Sequence, residues 1–210
     1  MKREPFQNFT AIAAPLPLKN INTDAIIPAP YLRTADADLA QGLFALWRYD
    51  EQGRERPDFI LNRPGFRNAN ILIGGENFGC GSSREAAAWA LKRFGIRAVF
   101  APSFADIFYE NAFRNGVLAG IITPDALAHA LALINDDAAH ASFHIDLNAA
   151  TLTGHDGKSL AFAVPDFHRD ALLRGDDDIA ATLRCADDID AFMATDRQNR
   201  PWIYETGLTS

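Results

Sequence analysis

Cysteine is scarce in this chain: 210 residues hold two, Cys80 and Cys185. They form no CxxC pair and no disulfide framework, so a reducing cytoplasm is the expected setting. Two thiols are also too few to ligate an iron–sulfur cluster or a structural zinc within the chain, so no metal is expected on it. Long apolar runs are missing as well. The start, Met1-Lys2-Arg3-Glu4-Pro5-Phe6, leads into no apolar core, and no stretch is long enough to span a membrane. Lysine and arginine nowhere cluster, and the net charge of -7 argues against a nucleic-acid surface. No internal repeat or low-complexity linker marks a boundary. Residues 1–210 therefore read as one domain, with a tail from about Thr195 that is either a loop or an interface arm.

What is present fits a globular protein with an ample core, 48% hydrophobic and 22% charged. Phe9 to Ala14 reads as a strand stopped by Pro15 and Pro17, and Leu39, Leu43, Phe44 and Trp47 have helical spacing. Asp50 to Pro57 is an exposed loop by composition. Strand-like Ile71-Leu72-Ile73, Arg97 to Ala101 and Val117 to Ile122 are each followed by a helical pattern, the second over Ser103 to Phe113 and the third over Pro124 to Ile134. That succession predicts an α/β arrangement with parallel strands. From Ser142 the texture changes to short strands joined by turns, then to helical patterns over 165–173, 178–184 and 187–194.

The stretch that organises the chain runs from Ile71 to Leu91: apolar segment, glycine-rich turn, alanine-rich helix. Gly74, Gly75, Gly79 and Gly81 allow tight turning, and Ser82, Ser83 and Arg84 fall where the helix begins. Unpaired N–H groups and the positive end of the helix dipole gather there, which favours an anion. Two hydroxyls and a guanidinium add donors suited to a carboxylate. A Walker loop is excluded because Cys80 stands where lysine must be, and the dinucleotide pattern fails because it ends on Arg84. A plainer reading of the same residues is a turn with Ser82 or Ser83 as N-cap and Glu85 supporting the first turn.

Other signals favour bland readings. His140 and His144 lack a third ligand, and Asp176 to Asp178, Asp187 and Asp188 read as helix-starting acids. Phe104, Phe108 and Phe113 read as core. A helix N-terminus would activate the Cys80 thiol, but no histidine base is near it in sequence.

Three stretches together resemble one family: Asn20-Ile21-Asn22-Thr23-Asp24-Ala25-Ile26-Ile27-Pro28, Gly75 to Glu85, and Ala101-Pro102-Ser103-Phe104-Ala105-Asp106-Ile107-Phe108. In order and spacing they are similar to the small subunit of 3-isopropylmalate dehydratase, within the aconitase superfamily. The resemblance covers most of residues 6 to 195. It implies a swivelling β/β/α domain that closes over a separate large subunit. It also implies a 4Fe–4S cluster held by that large subunit, and a substrate that is a small di- or tricarboxylate. The reaction it implies moves a hydroxyl between neighbouring carbons through an alkene, in leucine biosynthesis. Carried over by motif, Ser82 is the base, acting as an alkoxide, and Ser83 and Arg84 bind substrate carboxylate. Asn22, Thr23, Asp24, Gly79, Cys80 and Gly81 shape the site without a catalytic step.

Two departures bear on substrate choice. The family usually reads Ser-Arg-Glu-His-Ala-Pro-Trp, whereas this chain has Ala86 for the histidine and Ala88 for the proline. Tyr31-Leu32-Arg33-Thr34 occupies the loop that the family associates with the substrate's variable arm. Arg33 either pairs there with a third carboxylate or turns into solvent, and the reach of arginine favours solvent. The alternatives are a paralogous hydro-lyase for homoaconitate, citraconate or another alkyl-malate, and a non-catalytic partner subunit.

Overall fold

Four apolar segments form parallel strands: β1 (Phe9–Leu16), β2 (Ile71–Gly74), β3 (Ala98–Ala101) and β4 (Leu118–Ile122). Every residue of β2 and β3 is buried, as expected for strands covered on both faces. The computed structural model describes residues 3–33, 37–135 and 137–204. In it, β5 (Ser142–Asp146), β6 (Thr151–Thr153) and β7 (Ser159–Ala163) are antiparallel and complete a closed barrel in the order β1-β2-β3-β4-β7-β6-β5. Their residues alternate buried and more exposed, the pattern of a sheet with one wet face. The α/β expectation and the change of texture at Ser142 are both borne out.

Between β1 and β2 come three one-turn helices, α1 (Thr23–Ile26), α2 (Leu39–Gly42) and α3 (Ala45–Arg48). The crossovers of the parallel half are α4 (Glu85–Phe94) and α5 (Asp106–Arg114), which pack on each other, while α6 (Pro124–Ile134) lies against β1 and β2. α7 (Asp166–Arg174), α8 (Asp178–Leu183) and α9 (Ala186–Asn199) finish the chain.

Four details differ from the sequence reading. β1 continues through Pro15, which pairs with Ile73. The Ala13 amide bonds to Ala141 on the β5 side, and that pairing goes no further. Two residues on, the missing N–H of Pro15 falls on the same, now open, edge, where it costs no ladder bond. The helical pattern through Leu39 and Trp47 is broken at Phe44, which adopts a left-handed backbone (φ 49°). Its amide bonds to Ile26 and its ring stacks on Trp47, so burial outweighs helix continuity there. α5 starts three residues late because Ser103 and Ala105 pair with Phe78 instead. α9 runs five residues further than expected, to Asn199. Asp196 ends it by accepting from Arg200 Nε at 2.6 Å and the Tyr204 hydroxyl at 2.8 Å, contacts that hold its carboxyl below the usual range.

Inside the barrel, Phe100 is fully buried against Phe162, with ring centroids 5.1 Å apart. It lies opposite Gly120, where a Cβ would come within 2.5 Å of the Phe100 ring. Phe100→Ala is expected to cost ~3–5 kcal/mol through the cavity left behind. Gly120→Ala is expected to cost ~1–3 kcal/mol by overpacking. Urea unfolding reads both, and a Phe100→Ala chain as stable as its parent would contradict this packing.

Candidate active site

The loops that leave the C-terminal ends of β1, β2 and β3 meet at one end of the barrel, where open parallel sheets usually hold ligands. The parallel pairing of β1 and β2 does not stop with the strands. Beyond Gly74 the chain stays beside residues 20–23: Asn20 N–H donates to Glu76, Gly79 N–H to Ile21, and Thr23 N–H to Cys80. On its other side Phe78 exchanges bonds with Ser103 and Ala105. The glycine-rich loop is therefore clamped between its two neighbours.

Glycine is required at two points of this loop. Gly79 has φ 78°, and a Cβ there would sit 2.1 Å from the buried Phe108 ring. Gly81 has φ 92° and leaves room for Asn22 and Thr23. Both positions lie in the left-handed region that side chains disfavour.

The Asn22-Thr23-Asp24 triplet does turn chemistry and site chemistry at once. Asn22 caps α1 by accepting from the Ala25 amide at 2.8 Å. Thr23 is buried, and its hydroxyl donates to the Ser82 carbonyl at 2.7 Å. Asp24 lies 2.5 Å from the Arg84 guanidinium, which also donates to the Ile27 carbonyl at 3.2 Å. Arg84 is one-fifth exposed and Asp24 about half, so the pair contributes at most about 1 kcal/mol of stability, and its main effect is to aim Arg84.

Neither serine caps α4, contrary to the plainer expectation. Arg84 stands at the N-cap position with no side-chain cap bond, and Ser82 and Ser83 are exposed. Their hydroxyls, and the amides of Ser82, Ser83 and Glu85, have no partner among the described residues. The Glu85 carboxylate is turned aside onto Asn115 Nδ2 at 3.1 Å. Free donors at the start of a ten-residue helix are suited to an anion, and the hydroxyls are open to a reactant.

Thr23, Gly79, Gly81, Ser82 and Arg84 line a cleft of about 190 Å³ together with Ala105, Asp106, Ile107 and Phe108. Asp106 and Ile107 have no site role in the sequence reading, although they stand in the third matched stretch. Their signal there is masked by aromatic neighbours that do pack as core, Phe108 and Phe113. Cys80 and Ser83 border the cleft in sequence without lining it. Arg33 is exposed at the end of a 3-10 turn over Ala29–Leu32, outside the cleft, and Thr34 lies outside the described residues.

A larger cavity of about 470 Å³ lies at the opposite end of α5, against α7 and α8. Glu110, Asp176, Asp177 and Asp178 line it, and Arg3 there is spent on the carbonyls of Phe113, Arg114 and Asp176. That lining is poor for a carboxylate. Among the described residues no three His, Cys, Asp or Glu side chains group closely enough to hold a metal ion. Nor, among the described residues, is any helix long and apolar enough to cross a membrane.

The family model of the aconitase C-terminal domain matches residues 3–123, and that of the C-terminal domain of the 3-isopropylmalate dehydratase small subunit matches residues 178–205. A 3-isopropylmalate dehydratase small subunit from Rhodospirillum centenum is 50% identical over 200 residues, covering 95% of this chain and 98% of that one. One from Brucella anthropi is 50% identical over 203 residues, covering 95% and 99%. The crystal structure of a 3-isopropylmalate dehydratase from Methanocaldococcus jannaschii matches with a TM-score of 0.62 at 29% identity, over 88% of this chain and 99% of that one. The chain belongs to the aconitase C-terminal domain family, among the small subunits of 3-isopropylmalate dehydratase.

Proposed function

We propose that this chain is the small subunit of a hydro-lyase that interconverts 2-isopropylmalate and 3-isopropylmalate in leucine biosynthesis. The observation that carries the reading is the pinning of Ser82 by Thr23 and of Arg84 by Asp24 at one open cleft. Dehydration takes a proton from carbon beside a carboxylate while hydroxide leaves the neighbouring carbon, and rehydration reverses this with the positions exchanged. Ser82 Oγ accepts that proton and returns it. An alkoxide is costly for serine, and the free amides, the helix N-terminus and Arg84 lower that cost. Asp24 offsets part of the Arg84 charge, so the amides and helix end carry more of the stabilisation than the guanidinium does. Ser83 and Arg84 hold a substrate carboxylate.

A cleft of about 190 Å³ is small for a site that must enclose its ligand, and this supports a separate large subunit that completes it. Two free cysteines cannot supply the three thiolates of a 4Fe–4S cluster, so the cluster is assigned to that partner. The free thiols also suit a cytoplasmic setting. We take residues 1–210 as one swivelling domain. α9 and the residues after it are its arm toward the large subunit: Ile189, Phe192 and Met193 are exposed on the helix, and Trp202 and Ile203 follow it. Ala86 in place of the family's usual histidine favours, as a second reading, a related acid such as homoaconitate or citraconate, to which Arg33, exposed outside the cleft, lends no support.

Three outcomes test this. With the large subunit reconstituted anaerobically and alkene absorbance followed, Ser82→Ala is expected to abolish turnover while leaving folding and assembly intact; unimpaired turnover removes Ser82 as base. Asp24→Asn is expected to raise KM for the acid by about tenfold through a misaimed Arg84, with the melting temperature unchanged. A chain ended after Cys185 is expected to keep its circular dichroism per remaining helix and its melting temperature, but to bind the large subunit at least tenfold more weakly. Equal affinity in a titration would remove the arm from the interface.

A further inference from the structure

Where the glycine-rich loop leaves β2, Asn77 reaches the loops on both sides at once. Its amide N–H donates to Ser103 Oγ at 2.8 Å, and its side-chain Nδ2 donates to Asn20 Oδ1 at 2.8 Å. Its backbone is left-handed (φ 56°), a conformation asparagine tolerates better than most residues. Asn20 on the facing loop is left-handed too (φ 57°), and its own amide bonds back to Glu76. Residues 77, 79 and 81 thus alternate in the left-handed region, and Asn77 is the first of the three and the only one with a side chain.

The position of this contact gives it a use beyond stability. Asn77 and Asn20 are exposed, so their bond buries nothing and adds little to folding. The backbone bonds of Phe78, Gly79 and Cys80 and the Thr23–Ser82 bond set the mean path of the loop, and the Asn77 contacts narrow the displacements left to Ser82 about that path. Catalysis by a positioned base is sensitive to displacements of about 1 Å, whereas the stability of an exposed loop is not.

Resting on the assignment of Ser82 as base, we infer that Asn77, with Asn20 and Ser103, is a positioning device for the catalytic loop. It joins the three site loops by side-chain hydrogen bonds that serve the reaction rather than the fold. Asn77 does not touch substrate.

The test uses the assembled enzyme and Asn77→Gly, which keeps the left-handed backbone and removes the side-chain amide. kcat is expected to fall at least tenfold, with KM, the melting temperature and large-subunit affinity within twofold or a degree or two of the parent. Asn20→Gly, which likewise keeps a left-handed backbone, is expected to match this, and the double variant to be no worse than either single one, since both remove the same bond. Ser103→Ala is expected to lower kcat, with Ser103→Thr restoring it because the hydroxyl is kept. Unchanged kcat in Asn77→Gly alongside an inactive Ser82→Ala overturns the inference and leaves the site reading standing. A loss confined to melting temperature or assembly also overturns it, as that is what a purely structural bond would do. An active Ser82→Ala enzyme overturns both.

Discussion

Everything at the active end of this protein depends on two loops continuing the pairing of the strands they leave. β1 and β2 are bonded from Ala13 to Leu16, and the chains then stay together through Ile21, Thr23, Gly79 and Cys80. Without those bonds a run holding Gly75, Gly79 and Gly81 would be among the most mobile parts of the molecule. With them, its path is as determined as that of a strand. Glycine gives the loop permission to turn, and the neighbouring loop supplies the instruction.

Two consecutive residues then divide the work. Thr23 bonds to the backbone of Ser82, and Asp24 to the side chain of Arg84. The Ser82 hydroxyl, which we propose as the base, has no partner among the described residues, while the peptide that carries it is held. This suits a base: a hydroxyl engaged in a permanent bond would be stabilised in its neutral form, whereas a fixed backbone restricts where the hydroxyl points without changing what it is.

Much of this was legible in the sequence, and the rest was hidden for identifiable reasons. The parallel half could be read because β2 and β3 are buried on both faces and so are continuously apolar. Ser82, Ser83 and Arg84 stood out because glycines and a helix start surround them. Local pattern gave no route to the Asp24–Arg84 pair, whose members are 60 positions apart in sequence. It also misplaced the start of α5, since Ser103 to Ala105 have the composition of a helix and are pulled into extended pairing by Phe78. Pro15 inside a strand was likewise unreadable, because only the end of β5 leaves its edge open. In each case a long-range contact outweighed a local preference.

The barrel is also divided by task. Every residue assigned to the cleft comes from the segments attached to β1, β2 and β3, while β5, β6 and β7 close the cylinder and hold up one side of the core. Outward-facing positions on those strands, such as Ser159, Ala161 and Ala163, meet solvent and no part of the site. Mutational tolerance should therefore be lopsided: sequence drift can accumulate along one wall of the cylinder while the opposite wall is held nearly fixed, letting relatives diverge widely in overall identity while keeping the same chemistry.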